Sequence, residues 1–360
     1  SSYMSKLKFG ARIGILGGGQ LGRMLAGAAA KLGFDVSIYC PEADAPASRV
    51  AGESVRAGYD QLDRVLAWAQ TCDAITYEFE NVPVSTVGHL IRNGQIVRPG
   101  LKALEMSQDR IREKTFLRSC AIPTAEFFAI QCGDDIGPAL TQLGGAGLLK
   151  TCSDGYDGKG QSRIAAGDDD EAIFRALGSR PCVLEGLVPF RCEVSVIAAR
   201  GLQGDIVCYD IPENIHKDGI LKRSTVPAAL THNIMQDAFR AASRLVETLD
   251  YVGVLALEFF VLPDGRLIAN EFAPRVHNSG HWTVEACLTG QFEQHIRAVA
   301  GWSLGSVERT LDVEMENVLG EDLDSLDDNM PATASLTLYG KRDAKRGRKM
   351  GHWVRLNGSI

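Results

Sequence analysis

Apolar and polar positions follow two different rhythms along this chain. Ala11 to Leu16 is an apolar run that reads as a buried strand, and Gln20 to Leu32 then carries apolar residues at helical spacing. Val36 to Tyr39 predicts a second strand. Ala74 to Tyr77 predicts another, before a helix starting near Pro83. Strands alternating with helices imply a parallel, doubly wound sheet over about the first hundred residues. Ser107 to Ser119 predicts a polar-faced helix whose buried stripe is Ile111, Phe116 and Leu117.

Beyond that helix the pattern changes. Leu148 to Lys150, Cys182 to Glu185, Glu193 to Ala199, Ile206 to Asp210, Val252 to Leu262 and Leu267 to Phe272 read as strands joined mostly by turns, with Glu213 to Gly219 as one such turn. Val261-Leu262-Pro263-Asp264-Gly265-Arg266 is a hairpin signature. One long helix, Ile234 to Leu249, interrupts the strands. The expectation is an α+β unit with a mainly antiparallel sheet. The tail from Gly301 is acidic through Asp328 and basic from Lys341 to Lys349, and is expected to pack back on the body. The division expected is residues 1–108, 109–300 (split near 186) and 301–360.

A length of 360 residues suits two or three packed domains. The apolar and charged fractions are those of a soluble globular protein. No apolar run approaches the roughly 20 residues that cross a bilayer, and the longest, Tyr251 to Leu262, contains Glu258. Membrane association is therefore not expected. Ser1 to Lys6 lacks the apolar centre of a secretion signal, and Ser1 to Tyr3 reads as an expression remnant. Nine cysteines, an odd number with no Cys-x-x-Cys pair, fit reduced thiols in a cytoplasmic enzyme better than zinc or disulfide frameworks. A net charge of −7 argues against nucleic acid as partner but not against small anions, which respond to local charge.

Two glycine loops carry candidate chemistry. In Gly17-Gly18-Gly19-Gln20-Leu21-Gly22 a G-x-G-x-x-G pattern follows a strand and opens a helix, so backbone N–H groups can approach a phosphate. Three readings stand: a nicotinamide dinucleotide site, a plain tight turn, or a monophosphate or substrate loop. The first also needs an acid at the end of the second strand. Glu42 has roughly that spacing but lies behind Pro41. The second loop, Gly155-Tyr156-Asp157-Gly158-Lys159-Gly160-Gln161, follows Lys150, whose ammonium at a strand end is a point charge for phosphates. Its glycines allow it to close over a ligand; the plain alternative is a flexible surface hairpin.

Glu258 and Glu271 flank the hairpin turn and can sit opposite each other on one face. Like charges side by side in a partly buried sheet are costly unless a cation bridges them. Magnesium fits, because it takes carboxylate and phosphate oxygens together, and Asn270 adds a neutral oxygen. Two solvated acids on an exposed strand face are the alternative. Arg275 offers a bidentate fork to a planar oxyanion, and His277 a hydrogen bond or a proton shuttle. The backbone of Gly186-Leu187-Val188 can meet an adenine edge with Glu185 on its amine, Glu193 can accept ribose hydroxyls, and His216 and Arg110 can reach phosphates. A strand end, a turn and a helix start are the plain readings of these last segments.

In order and content these segments resemble the ATP-grasp superfamily, and within it the N5-carboxyaminoimidazole ribonucleotide synthetase family of bacterial purine biosynthesis. The resemblance is carried by Gly17-Gly18-Gly19-Gln20-Leu21-Gly22-Arg23-Met24, Thr76-Tyr77-Glu78-Phe79-Glu80-Asn81-Val82, the second glycine loop, Glu213-Asn214-Ile215-His216, and Asn270 to Trp282. It spans nearly the whole chain. Asp154 stands where the pattern has a glycine. The resemblance implies an ATP-grasp fold with an N-terminal doubly wound parallel-sheet domain and a small C-terminal domain, assembled as a homodimer. It implies ATP contacts from Arg110, Lys150, Gly155, Gly158, Gly160, Gln161, Glu185, Gly186, Leu187, Val188, Glu193, His216, Asn270 and Glu271. Two magnesium ions would lie on Glu258 and Glu271. Gly19, Gln20, Leu21, Glu78, Asn278, Lys341 and Arg348 would hold the aminoimidazole ribonucleotide, and Arg275, His277, Tyr156, Asp157 and Lys159 would serve the chemistry.

The expected reaction is attack of bicarbonate on the γ-phosphate of ATP, giving carboxyphosphate, whose carboxyl group passes to the ribonucleotide amine. Asp157 and His277 are both candidates for the proton acceptor. The alternatives are another ATP-grasp ligase (a formate-using glycinamide ribonucleotide transformylase or a biotin carboxylase), an NAD(P)-dependent oxidoreductase, and a catalytically silent binding protein of the same fold.

Overall fold

The computed structural model describes residues 6–357. Ser1 to Tyr3, read above as a remnant, lie outside the described residues. The first sheet holds four parallel strands in the order β3-β2-β1-β4: β1 (Arg12–Leu16), β2 (Asp35–Cys40), β3 (Glu53–Arg56) and β4 (Ala74–Tyr77). Helix α1 (Gln20–Lys31) covers one face; α2 (Leu62–Ala69) and α3 (Val84–Arg92) cover the other. Burial on both faces explains the near-continuous apolar strands β1, β2 and β4. β3 and α2 had not been foreseen: Glu53–Arg56 is an edge strand with little burial, so it carries no apolar signature.

The helix expected over Ser107–Ser119 is α5 (Arg110–Ser119), and a short helix not foreseen, α4 (Leu101–Ser107), precedes it. Asp109 separates them because its carboxylate accepts the Ile111 and Arg112 N–H groups as an N-cap. The buried face of α5 includes Glu113 and Lys114 as well as Phe116 and Leu117, while Ile111 is only half-buried. A small antiparallel sheet follows, in the order β5-β8-β6-β7: β5 (Phe127–Ile130), β6 (Ala146–Thr151), β7 (Gln161–Ala165) and β8 (Cys182–Glu185). Helices α6 (Ile136–Gln142) and α7 (Asp170–Ala176) close its core around Ile130, Leu149, Phe174 and Leu184.

The second large element is a sheet of nine strands among the described residues. It contains β9 (Cys192–Arg200), β10 (Ile206–Cys208), β11 (Glu213–Lys217), β12 (Ile220–Val226), β13 (Gly253–Val261) and β14 (Leu267–Ala273). Helix α8 (His232–Thr248) packs Ala238, Ala241, Ala242, Leu245 and Val246 against it, at helical spacing. The segment expected as a turn, Glu213–Gly219, is mostly strand β11; only Asp218-Gly219 turns into β12. After α9 (Thr283–Ala286) and α10 (Gln291–Val299) the tail supplies β15 (Asp312–Leu319), α11 (Leu326–Asn329), β16 (Ser335–Leu338) and β17 (Lys349–Asn357). Because β15 pairs with β12, the tail extends the same sheet rather than resting on its surface. One core runs from Ile13 and Ile38 through Ile197 and Trp282 to Val313 and Val354, so the first and second sheets are packed together. Among the described residues, no helix is long and apolar enough to cross a membrane.

Candidate active site

Where these elements meet, a cleft of about 550 Å³ opens. Its wall takes Gly19, Gln20, Leu21 and Glu78 from the first sheet, Arg110 from α5, and Lys150 with Gly155 to Gly158 and Gln161 from the small sheet. The large sheet adds Glu193, His216, Glu258, Asn270, Glu271, Arg275, His277 and Asn278.

Glu258 on β13 and Glu271 on β14 are register partners, and the ladder then skips Asn270 so that Phe259 pairs with Ala269. Side chains alternate along a regular strand; the bulge at Asn270 lets Asn270 and Glu271 both line the cleft. Arg110 Nη1 donates to Glu271 Oε2 at 3.2 Å. Burial pushes the Glu258 carboxyl well up, and the charge of Glu271 adds to it. Burial also acts to raise Glu271, but the guanidinium of Arg110 overrides it and holds that carboxyl below the usual range. Thus one acid tends to keep a proton while the other stays charged. Among the described residues no three or more His, Cys, Asp or Glu side chains gather around a possible metal. The donor set here is two carboxylates and an amide. That fits a hard cation completing its shell from a triphosphate and water, not an all-protein cage.

The loop between β6 and β7 lines the same cleft. Asp154 has φ 64° and Asp157 φ 48°, a region glycine fills at least cost and Asp tolerates. Asp154 thus holds a backbone conformation that a glycine would also accept. Gly158 (φ 80°) abuts Gly219, where an added Cβ would meet Gly158 Cα at 2.7 Å; bare backbone on both sides allows the loop tip to rest on the β11–β12 turn. Asp157 Oδ1 lies 3.3 Å from Lys349 Nζ on β17. Tyr156 is exposed, with the ammonium of Lys159 5.0 Å from its ring centre. Lys159 and Gly160 do not line the cleft; Gly160 packs on Thr151.

At the first loop, Glu78 occupies the place a pyrophosphate would need. Gly19 N–H, at the start of α1, donates to Glu78 Oε1, and a Cβ at Gly17 would strike Glu78 Cγ at 2.4 Å. The positive end of α1 is therefore met by the protein's own carboxylate. Burial pushes Glu78 up to about 7, against the pull of the Gly19 N–H and Arg275.

Glu185 ends β8, as expected. Its carboxylate lies between Lys114 Nζ (2.5 Å) and Lys150 Nζ (2.6 Å), with all three side chains almost wholly buried. Burial acts to raise it, yet Lys150 and Lys114 hold it below the usual carboxylate range. Neither Glu185 nor Gly186, Leu187 and Val188 lines the cleft, and the Gly186 N–H is spent on Glu126 O. Glu193 Oε2 and His216 Nδ1 stand 3.0 Å apart on neighbouring strands.

Arg275 closes its fork on Glu80, through Nε to Oε2 and Nη2 to Oε1, tying the segment after β14 to the first sheet. His277 Nδ1 accepts the Ser279 N–H at 3.1 Å. That puts the ring proton on Nε2, 3.9 Å from Glu258 Oε2. Burial, with help from Arg275, keeps this ring neutral, well below its ordinary value. Both amide atoms of Asn278 are buried without a partner among the described residues, beside the cleft. Lys341 and Arg348 do not line the cleft: Lys341 donates to Lys349 O and Arg348 to Asp343 O. Burial, then Arg348 and Lys349, bring the Lys341 ammonium down to about 8, while Glu78 and Asp157 act oppositely, so these groups share one field. Sequence reasoning gave Lys349 only as the end of the basic patch, quoted Glu80 and His281 within motifs without a role, and missed Glu113 and Lys114. A buried salt link has no local signature; only the i, i+3, i+4 spacing of Arg110, Glu113 and Lys114 hinted at a shared helical face.

Comparison with known proteins gives the same layout. Residues 10–108 match the ribonucleotide synthetase preATP-grasp domain, 115–292 the ATP-grasp domain, and 314–359 the phosphoribosylaminoimidazole carboxylase C-terminal domain. An N5-carboxyaminoimidazole ribonucleotide synthase of Brucella melitensis is 51% identical over 359 residues, covering 98% of this chain and 98% of that protein. The Staphylococcus aureus N5-carboxyaminoimidazole synthetase complexed with ADP superposes with a TM-score of 0.94 at 38% identity, over 99% of this chain and 95% of that one. The Aspergillus clavatus synthase in complex with ADP and 5-aminoimidazole ribonucleotide has a TM-score of 0.89 at 30% identity, over 96% and 94%. A cleft built from three consecutive family domains, in a chain half-identical to a named synthase over nearly all its length, has one consistent reading: this protein belongs to the N5-carboxyaminoimidazole ribonucleotide synthase family of the ATP-grasp superfamily.

Proposed function

We propose that this chain catalyses the ATP-dependent carboxylation of 5-aminoimidazole ribonucleotide by bicarbonate. The products are N5-carboxyaminoimidazole ribonucleotide, ADP and phosphate, in de novo purine biosynthesis. The observation that carries this reading is the facing pair Glu258 and Glu271 in a cleft that Gly155 to Gly158 of the second glycine loop also line. Magnesium held by the two carboxylates, with Asn270 beside them, would neutralise charge on the transferring phosphoryl group. Lys150 and Arg110 present positive charge to the same space, Glu193 and His216 bound its side, and the loop excludes water from the short-lived carboxyphosphate. His277 acts through Nε2–H as a hydrogen-bond donor, since Ser279 already occupies Nδ1. Of the two candidate proton acceptors this leaves Asp157. Arg275 has its Nε edge on Glu80, so Nη1 and the outer side of Nη2 are what it can offer an oxyanion. The unpartnered amide of Asn278, with Gln20, Glu78 and the field of Lys341 and Arg348, would orient the ribonucleotide. We further assign the protein to the cytoplasm and to a homodimeric assembly, with domains over 1–108, 109–300 and 301–360.

The test is coupled ADP release with magnesium and ATP. Release should require 5-aminoimidazole ribonucleotide and bicarbonate; release that ignores the ribonucleotide, or that follows formate or biotin instead, overturns the substrate assignment. Because Glu78 fills the α1 terminus, NADH should leave thermal stability unchanged while ATP with magnesium raises it.

A further inference from the structure

Strand β14 is the outer edge of the nine-stranded sheet, and an edge strand presents unpaired N–H and C=O groups. Three of them are taken here by groups that belong to no strand. Ala269 N–H donates to Pro123 O at 2.8 Å, Phe272 N–H donates to Glu113 Oε2 at 3.1 Å, and Lys114 Nζ donates to Asn270 O at 3.4 Å. An acid for an N–H and an ammonium for a carbonyl make α5 a substitute for the missing neighbour. They do so at the bulge, where the ladder is weakest. A slip of one residue would turn Glu271 to the opposite face. Glu113 and Lys114 are almost wholly buried, and Arg110, on the same helical face, holds the Glu271 carboxylate itself.

We propose that Glu113 is a positioning residue for the metal–nucleotide site: by fixing the Phe272 amide it keeps the Asn270 bulge in register, so that Asn270 and Glu271 both face the cleft. The inference rests on the magnesium reading of Glu258 and Glu271. Lys114 shares the task but also pairs with Glu185, which makes Glu113 the cleaner probe.

Calorimetric titration with ATP, in magnesium and in EDTA, tests it. Glu113→Gln keeps an acceptor oxygen and should bind within about threefold of the unaltered protein. Glu113→Met removes the acceptor and should weaken magnesium-dependent binding about tenfold, as loss of outer-shell partners does, without changing binding in EDTA. A Met variant that binds as the unaltered protein does, or a Gln variant as weak as the Met one, overturns the proposal. Glu271→Gln is the control: if it leaves the magnesium dependence intact, the metal reading itself fails. Should Glu113→Met not fold, amide exchange in the unaltered protein decides. Slow exchange at Phe272 is expected, and exchange at the rate of an open strand edge refutes the proposal.

Discussion

Glu258 faces Glu271 across the β13–β14 ladder, one step from the bulge that turns Asn270 into the same cleft. Their neighbours set them apart: Arg110 braces Glu271 at 3.2 Å, whereas the neutral ring of His277 stands 3.9 Å from Glu258. On the function proposed above, a cation bound here would take the place of a proton.

Glu271→Gln removes one of the two charges that balance such a cation. ADP release should fall by about 100-fold or more, and the gain in melting temperature from ATP with magnesium should shrink toward that seen in EDTA. A variant with normal turnover at the same magnesium concentration would remove the metal from this site.

Glu185 lies 2.5 Å from Lys114 and 2.6 Å from Lys150. Replacing it with Leu leaves two buried ammonium groups facing each other, at a cost of about 3–5 kcal/mol in urea unfolding. Glu185→Leu combined with Lys114→Met should recover part of that loss; equal instability of the single and double variants would show that the lysines do not repel.

Glu78 holds its proton more tightly in the folded chain, at about 7, than a free carboxyl does. Its contribution to stability is therefore fully present below about pH 4.5 and is lost as pH rises through 7, by up to about 3 kcal/mol. Denaturant midpoints measured from pH 4.5 to 8.5 should fall less steeply in Glu78→Gln than in the unaltered protein. Parallel profiles would mean that the carboxyl titrates normally.

The Asp157–Lys349 pair tethers the loop to β17 but is partly exposed. Lys349→Met should thus cost less than about 1 kcal/mol of stability, yet free the loop. Faster proteolytic cleavage between residues 153 and 160, with slower ribonucleotide-dependent ADP release, is expected. Unchanged cleavage would show that Gly158 against Gly219 suffices to hold the loop closed.

Local pattern was enough to read the buried strands β1, β4, β8 and β13, the long helix α8 and the turn at Pro263-Asp264-Gly265, because apolar periodicity and turn chemistry are properties of neighbouring residues. The two acids were singled out from the sequence, but the register of the turn, with Val261 on Leu267 and Phe259 on Ala269, would set Glu258 opposite Asn270, and only the bulge brings Glu271 into line with it. Other features depended on partners far along the chain. Asp109 caps the expected helix three residues late, β12 recruited the tail into its sheet through β15, and Lys114 with Lys150 enclosed the carboxylate of Glu185. Arg275 was likewise claimed by Glu80, 195 residues away. Which charge a buried side chain meets depends on which segments pack together, and in a low-dielectric interior that meeting outweighs any preference its immediate neighbours express.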